Sequence, residues 1–168
     1  QHMFQICSFG FLARTSLYKY PKAKIMTTNV FIYFDGNCEE AFNLYKKVFG
    51  GEFTSIGRYG DMPVREGMPA VQEDEKNKIM HVQLPISNET WLRGADNLKQ
   101  NSGHSVKDSG FSIVVTAGNE KEAQRVFDGL SAGGKVSVPI SKQFWGDFMG
   151  VFTDKFGLGW IVNYTPEK

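Results

Sequence analysis

Apolar residues recur along the chain with two different periods, and the two periods follow one another in the same order twice. A mostly apolar run, "NVFIYF" (29–34), precedes "NCEEAFNLYKKVFG" (37–50), where apolar residues recur at helical spacing. Further along, "FSIVVT" (111–116) precedes a second helical pattern that starts at Asn119. Each half of the chain is therefore predicted to contain a strand followed by an amphipathic helix.

The two helical patterns match residue by residue when Asn37 is placed over Asn119. Each asparagine can cap a helix, and the glutamate three residues later, Glu40 or Glu122, can complete a capping box. The apolar positions of one helix face and the glycine that ends each helix also coincide: Ala41 and Ala123, Leu44 and Val126, Tyr45 and Phe127, Val48 and Leu130, Gly51 and Gly133. The chain therefore contains an internal repeat.

The repeat continues after the helices with "IMHVQLPISNETWL" (79–92) over "FMGVFTDKFGLGWI" (148–161), which pairs Trp91 with Trp160. Each half then follows the order strand, helix and three strands. The first half also carries residues 58–78, rich in glycine, proline and charge, which predict a loop. The later strands are predicted near 52–59, 78–86 and 90–95, and near 134–141, 147–153 and 159–164.

The predicted fold class is α+β, with two βαβββ modules whose sheets form an incomplete barrel around a cavity. The alternative is two modules that share no cleft. A length of 168 residues suits a single domain, 26–168, with modules near 28–97 and 109–166. Residues 1–25 have no acidic residue and are interpreted as an N-terminal extension, a tag-derived segment or a leader.

Composition narrows the possible functions. The net charge is +1 with no basic face, which argues against nucleic-acid binding. No apolar run approaches about twenty residues, so no membrane span is predicted. The two cysteines, Cys7 and Cys38, do not have C-x-x-C or zinc-site spacing. A reduced, cytoplasmic protein is the simplest interpretation.

A family resemblance covers roughly residues 28–166. The residues that carry it are "FDGNCEEAFNLYKKVFGGEF" (34–53), "IMHVQLP" (79–85), "WGD" (145–147) and "TDKFGLGWIVN" (153–163). The chain resembles the vicinal oxygen chelate superfamily of glyoxalase I, bleomycin-resistance proteins and extradiol dioxygenases. Within it, the resemblance is to the PhnB-like branch, often labelled demethylubiquinone methyltransferase-like. The resemblance implies a homodimer that completes its cavities with a partner chain, but no particular reaction.

In metal-dependent members of that superfamily, the first and last strand of each half each carry one His or Glu ligand. Counting seven residues back from each helix cap gives Val30 and Ser112. Counting four residues on from the glycine of the D-x-x-G turn gives Ile161, and the repeat carries this position back to Leu92. None of these four side chains is a usual ligand for a divalent metal ion.

A count that is wrong by one residue would not restore a metal site. The neighbouring residues include no histidine or carboxylate: Asn29, Phe31, Trp91, Arg93, Phe111, Ile113, Trp160 and Val162. We therefore expect no metal. We also expect no nucleotide-type cofactor, because no glycine-rich turn after a strand is followed by an acidic residue about twenty residues on.

Three polar or reactive residues are candidates for chemistry, each with a structural alternative. His81 on the third strand is either a hydrogen-bonded core or interface histidine, or a cavity-facing acid/base. Asp147 either orients a ligand or closes a structural turn. Cys38 in the first helical turn is either a small helix-start residue or a nucleophile. By strand alternation, Trp91 and Trp160 are expected to face the helices.

Two segments supply further candidate contacts. In "KQFWGDFMG" (142–150), the aromatic residues Phe144, Trp145 and Phe148 surround Asp147 and suggest a cavity rim. In the loop 58–78, Tyr59 and Met62 suggest a lid or an interface arm.

The leading functional hypothesis is a metal-independent protein that binds a small organic molecule in an apolar, aromatic-edged cavity. The cavity would be lined by Val30, Leu92, Ser112, Ile161 and the aromatic cluster. One alternative is an isomerase-type or lyase-type enzyme that moves a proton with His81 or Asp147. Another is a dimeric structural or interaction protein without a site.

Overall fold

The computed structural model describes residues 29–63, 70–99, 110–144 and 146–166. The first half contains β1 (Val30–Phe34), α1 (Cys38–Phe49), β2 (Ser55–Arg58), β3 (Ile79–Pro85) and β4 (Trp91–Asp96). The second contains β5 (Ser112–Thr116), α2 (Glu120–Ser131), β6 (Lys135–Lys142), β7 (Phe148–Thr153) and β8 (Gly159–Tyr164). The predicted α+β class with two βαβββ modules is confirmed. The predicted segment 1–25 lies outside the described residues.

Each module folds into a four-stranded mixed sheet with the same strand order. The first sheet has the order β1-β4-β3-β2 and the second the order β5-β8-β7-β6. In each, the first strand runs parallel to the last, and the other neighbours are antiparallel. Within the described part of the chain, no strand of one sheet pairs with a strand of the other, so the sheets are open.

One face of each sheet packs against the helices, and we call it the helix-facing side. On the first sheet it carries Ile32, Phe34 and Leu84, and on the second Trp160 and Val162, all at most 1% exposed. These residues join the apolar faces of α1 and α2 in one core cluster. The first helix also reaches the second sheet, because the rings of Tyr45 and Trp160 lie 5.4 Å apart. The modules therefore share their core rather than packing as separate units.

A buried aspartate at the end of β4 organises the start of α1. One oxygen of Asp96, Oδ1, accepts from the backbone N–H groups of Gly36 and Cys38, each at 2.9 Å. The other oxygen accepts from Ile79 N at 2.8 Å. Asn37 makes no side-chain cap hydrogen bond, so its predicted capping role is wrong. A carboxylate supplied by the sheet takes the place of the local cap.

The second helix is capped by Asn119 as its sequence predicts, whereas the Glu122 carboxylate pairs with Arg125 and does not complete the predicted capping box. The side chain of Asn119 accepts from Glu122 N at 2.8 Å. Glycines with positive φ follow both helices, at Gly50 and Gly51 (81° and 83°) and at Gly133 (76°). Both helices contain 12 residues. No described helix is long and apolar enough to cross a membrane.

A second buried aspartate, Asp154, lies between β7 and β8 and accepts four hydrogen bonds. Its Oδ1 accepts from Phe156 N at 2.9 Å and Leu158 N at 3.0 Å, which closes the turn between the strands. Its Oδ2 accepts from the Tyr45 hydroxyl at 2.7 Å and from Trp160 Nε1 at 2.9 Å. Since Tyr45 belongs to α1, this carboxylate links the first module to the second.

Candidate functional site

The face of each sheet that points away from the helices carries exposed apolar residues, and we call these the first and second open faces. On the first open face, Phe31 and Tyr33 are 46% and 42% exposed, and on the second Val114 is 59% exposed. In β1 they alternate with the buried Ile32 and Phe34, as strand geometry requires. The surfaces expected to line a cavity therefore lie at the surface of the single chain.

The register of the strands places polar groups in the middle of the first open face. Arg93 on β4 pairs with Phe31 on one side and Gln83 on the other, and Gln83 pairs with Ser55 on the edge strand. The guanidinium carbon of Arg93 lies 5.9 Å from the centre of the Trp91 ring. This face thus combines aromatic surface with a fixed positive charge.

His81 also lies on the first open face, next to the edge strand. Its Nε2 is 2.7 Å from Ser55 Oγ. It pairs with Gly57, where a Cβ would come within 2.6 Å of His81 Cε1. The absence of a side chain at Gly57 therefore makes room for the imidazole. The position is consistent with both of its predicted roles, because the ring is partly buried and hydrogen-bonded yet lies on the open face.

Two buried side-chain atoms in the described part of the chain lack a hydrogen-bond partner, Arg93 Nε and Asn163 Oδ1. Both belong to central strands, β4 and β8. Both are also on open faces, because they alternate with the buried Leu92 and Val162. Buried polar atoms are normally satisfied, so these two open-face residues depart from the usual pattern.

The second open face is less aromatic than the first. It is built from alternate residues of β5, β7 and β8: Ser112, Val114, Thr116, Met149, Val151, Ile161 and Asn163. Two of the residues predicted to line the site, Ser112 and Ile161, lie here. Ser112 is exposed and Ile161 is half-buried.

Val30 and Leu92, the other two predicted lining residues, do not lie on an open face. They pair with each other on the helix-facing side, where Leu92 is fully buried and Val30 packs against the core. Trp91 was expected to face the helices, and this expectation is wrong: Trp91 alternates with the buried Leu92 and lies on the first open face. The expectation for Trp160 is confirmed by its complete burial.

A one-residue phase difference between the repeats explains these corrections. The last core-facing residue before α1 is Phe34, three residues before Asn37. Its counterpart before α2, Ala117, stands two residues before Asn119. Counting seven residues back from the helix cap therefore reaches the helix-facing side in the first half, at Val30, and the open face in the second half, at Ser112.

At the corrected register, the first and last strands of the first open face carry no usual metal-ligand side chain. On the first open face, β1 presents Phe31 and β4 presents Trp91 and Arg93 in place of the expected Val30 and Leu92. Among the described residues, no group of three His, Cys, Asp or Glu side chains is placed to hold a metal ion. The donor chemistry of both open faces therefore does not fit the metal centre of the metal-dependent relatives.

The predicted aromatic rim is divided by the structure. Phe144 is 97% exposed at the tip of the β6–β7 hairpin, whereas Phe148 packs toward the core. The backbone oxygen of Asp147 accepts from Gln143 N at 2.7 Å and closes this hairpin. Trp145 lies outside the described residues. The described geometry thus gives the segment a structural-turn role and brings no ligand-binding group next to Asp147.

Residues from the loop after β2 lie beside the first module. The Tyr59 hydroxyl donates to the backbone oxygen of Asp96 at 3.1 Å, and burial raises the pKa of this hydroxyl. Met62 is half-buried just before the part of the loop that is not described. These contacts fix the start of the loop beside β4.

A small cavity of about 210 Å³ lies between the β3–β4 turn and β5. Its lining includes Phe49, Ile86, Thr90, Val114 and Thr116. Ligand pockets commonly measure roughly 300–1,000 Å³, so this cavity is small for an organic ligand. The open faces remain the stronger candidate surfaces.

Cys38 is not placed to act as a nucleophile. The thiol is completely buried at the start of α1. Burial raises its pKa above the ordinary value, and the nearby carboxylates of Asp96 and Glu39 raise it further. A thiolate is thereby disfavoured, which supports the interpretation of Cys38 as a small core residue.

The buried thiol of Cys38 and the buried hydroxyl of Tyr45 should make the stability of the fold sensitive to alkaline pH. The pKa values of Cys38 and Tyr45 are raised above 9.0 and 10.0, in both cases chiefly by burial. The unfolded chain therefore loses these protons at lower pH than the folded chain. Their contribution to the free energy of unfolding is fully present below about pH 9. It falls by about 1.4 kcal/mol per pH unit above pH 9 because of Cys38, and by about as much again above pH 10 because of Tyr45.

Urea unfolding followed between about pH 8 and 11 will measure this dependence. We expect Cys38→Ala to remove the part of the slope that begins near pH 9, whatever its own stability at pH 8. A stability that stays constant to pH 11 would contradict the burial of both protonated groups.

The chain is similar to known proteins. Residues 27–162 match the model of the Glyoxalase/Bleomycin resistance protein/Dioxygenase superfamily. Protein YjdN of Escherichia coli (strain K12) is 29% identical over 150 residues, covering 85% of this chain and 98% of that protein.

Two solved structures are similar over most of the chain. Protein PA1353 from Pseudomonas aeruginosa has 34% identity and a TM-score of 0.73, and the match covers 84% of this chain and 99% of that one. A Bacillus cereus PhnB protein, named as a putative 3-demethylubiquinone-9 3-methyltransferase, has 26% identity and a TM-score of 0.65. That match covers 84% of this chain and all of the Bacillus chain.

Proposed function

The chain belongs to the Glyoxalase/Bleomycin resistance protein/Dioxygenase superfamily, and we propose that it is a metal-independent member that binds a small organic molecule. Members of this superfamily commonly bind small molecules and form dimers. The ligand would lie on the first open face, where Phe31, Tyr33 and Trp91 provide aromatic surface. His81 and Gln83 would orient its polar groups.

The observation that carries the proposal is the partly buried Arg93, whose Nε makes no hydrogen bond, beside the exposed aromatic residues of the first open face. A sheet face that served only as surface would place its polar groups in water. A face that served only as core would carry no guanidinium. Aromatic residues around an unpaired donor are instead the composition of a ligand-binding surface.

A second copy of the chain would complete the site. The first open face of one copy can pack against the second open face of the other. Because of the two-fold symmetry, the dimer contains two such contacts. Such an arrangement covers Phe31, Tyr33 and Val114, which the single chain leaves exposed. Ser112 and Ile161 would then line the side of the cavity opposite Arg93.

The side chains at the expected ligand positions support metal independence. The open-face positions of β1 and β4 carry Phe31, Trp91 and Arg93. A guanidinium repels a divalent cation and cannot ligate it. We also place the protein in the cytoplasm, since Cys38 is a buried free thiol.

An enzymatic role remains the alternative proposal, with His81 as the acid/base. The hydrogen bond between Ser55 Oγ and His81 Nε2 holds the imidazole on the open face, within reach of a bound molecule. His81→Ala with unchanged turnover of an identified substrate would remove this role. Asp147 is the weaker candidate, because its described contact closes the hairpin.

Binding of a neutral aromatic probe tests the proposed site. We expect 4-fluoroanisole to bind, detected by ¹⁹F NMR, and Phe31→Ala to weaken binding about tenfold by removing an aromatic contact. The matched control is Ile56→Ala: Ile56 is 45% exposed on the same sheet, but its register with the buried Val82 puts it on the opposite side. Its affinity should equal that of the wild type.

The same titration tests metal independence. Treatment with EDTA should leave the affinity for 4-fluoroanisole unchanged, and elemental analysis should find less than about 0.1 metal ion per chain. Stoichiometric zinc, iron or nickel would overturn the metal-independent assignment. An affinity unaffected by Phe31→Ala would overturn the assignment of the face.

A further inference from the structure

The first open face contains a positive charge without a neutralising partner. The three described arginines differ in this respect. Arg58 and Arg125 form ion pairs with Glu39 at 2.7 Å and Glu122 at 2.6 Å. No ion pair among the described residues involves Arg93, and its Nε makes no hydrogen bond. A charge placed in an apolar surface without a counter-ion is costly once water is excluded.

Neighbouring side chains hold this charge in the centre of the sheet. Arg93 lies on β4, which has β1 on one side and β3 on the other. Trp91 lies against the guanidinium, at 5.9 Å from ring centre to Cζ. Because the Arg93 side chain is partly buried rather than free in solvent, its orientation is set before any ligand arrives.

A second copy of the chain would not neutralise Arg93 with its sheet. The strands of the second sheet, β5 to β8, contain no acidic residue, so the second open face offers no carboxylate from its strands. The first open face likewise presents no carboxylate from its strands. Closure of a dimer over Arg93 would therefore bury a cation that no described strand residue of either open face can balance.

We propose that the ligand carries an oxyanion, a carboxylate or a phosphonate, and that Arg93 binds it through its guanidinium while the apolar part of the ligand lies on Phe31 and Trp91. This inference rests on the proposed function and specifies its ligand class. The planar guanidinium can donate two parallel hydrogen bonds to an oxyanion.

Three fluorinated probes of one shape separate the possibilities: 4-fluorobenzoate, 4-fluorophenylphosphonate and the uncharged 4-fluorobenzamide. With wild-type protein we expect at least one anion to bind about tenfold or more tightly than the amide, measured by ¹⁹F NMR. The preference between the two anions identifies the carboxylate or the phosphonate as the recognised group.

Variants assign the preference to Arg93. Arg93→Gln should reduce it to less than about twofold, and Arg93→Lys should retain part of it because the charge remains. Lys47→Gln is the control, because it removes one positive charge from an exposed position on α1. It should keep the wild-type preference.

The outcomes separate the inference from the function on which it rests. If all three probes bind equally, the ligand site stands and the anion assignment fails. If none binds, and 4-fluoroanisole does not bind either, the proposed function itself fails. If Arg93→Gln leaves probe preference unchanged but weakens self-association, Arg93 contacts another subunit and the inference is overturned.

Discussion

Replacing Asp154 by alanine is expected to destabilise the fold by about 4 kcal/mol or more. The substitution leaves four buried donors without an acceptor: Phe156 N, Leu158 N, the Tyr45 hydroxyl and Trp160 Nε1. Each buried unsatisfied group costs about 1–3 kcal/mol, and the costs are not fully additive. Since a domain of this kind typically has about 5–15 kcal/mol of total stability, the variant should be close to unfolding.

Urea unfolding followed by circular dichroism measures the loss. Asp154→Asn retains the shape and one acceptor oxygen, so it should fall between the wild type and Asp154→Ala and stay measurable if the alanine variant does not fold. Asp128→Ala is the matched control, because Asp128 is exposed on α2 and bonds only to Gln124 in the described structure. It should change stability by less than about 0.5 kcal/mol. A loss below about 1 kcal/mol for Asp154→Ala would contradict the structural role.

Placing a carboxylate on the second open face is expected to separate the proposed dimer into single chains. Val114 is the most exposed apolar residue of that face and is flanked by β8, where it pairs with Ile161. Val114→Glu would bury an unpaired charge in the contact. We expect the dimer dissociation constant to rise by about 100-fold or more, which corresponds to roughly 2.7 kcal/mol.

Analytical ultracentrifugation between about 1 and 100 µM measures this change. Asn43→Glu provides the control, since it adds the same charge to an exposed position on α1 and should leave the assembly intact. A wild-type protein that is monomeric throughout this range would refute the dimer. Unchanged association of Val114→Glu would instead show that the contact uses another surface.

The elements of the fold were predictable because each one is encoded locally. Periodicity and glycine placement define α1 and α2 to within two residues of Cys38–Phe49 and Glu120–Ser131. The strands of both halves were likewise located, and Trp160 was correctly assigned to the core. Local patterns determine these features whatever the rest of the chain does.

The arrangement of the site was less predictable because it depends on distant residues. Asp96 caps α1 from β4, 58 to 60 residues further along the chain, so no pattern around Asn37 could reveal it. The face that Trp91 occupies follows from strand pairing, which the repeat alignment placed one residue out of phase. A signal for the buried face of β3 was available in "IMHVQLP" (79–85), where the apolar residues Val82 and Leu84 alternate with the polar residues His81 and Gln83.

The surroundings of Arg93 could not be predicted from the sequence. The sequence showed that no metal-ligand residue stood there. Only the register revealed that its neighbours are Phe31 and Gln83 and that Nε has no partner. An ion-paired arginine and an arginine without a counter-ion look identical in sequence, because the difference lies in their neighbours in the fold.

The hydrogen bond between Tyr45 and Asp154 also constrains how this protein can have evolved from a repeated ancestor. A half-length ancestor would have had to satisfy its buried groups within one module or by pairing with an identical one. Here the first module donates from Tyr45 and the second accepts at Asp154, and no reciprocal bond joins α2 to the first sheet's aspartate in the described structure. A separated half would lack one member of this buried pair, so the two halves are no longer interchangeable at this contact.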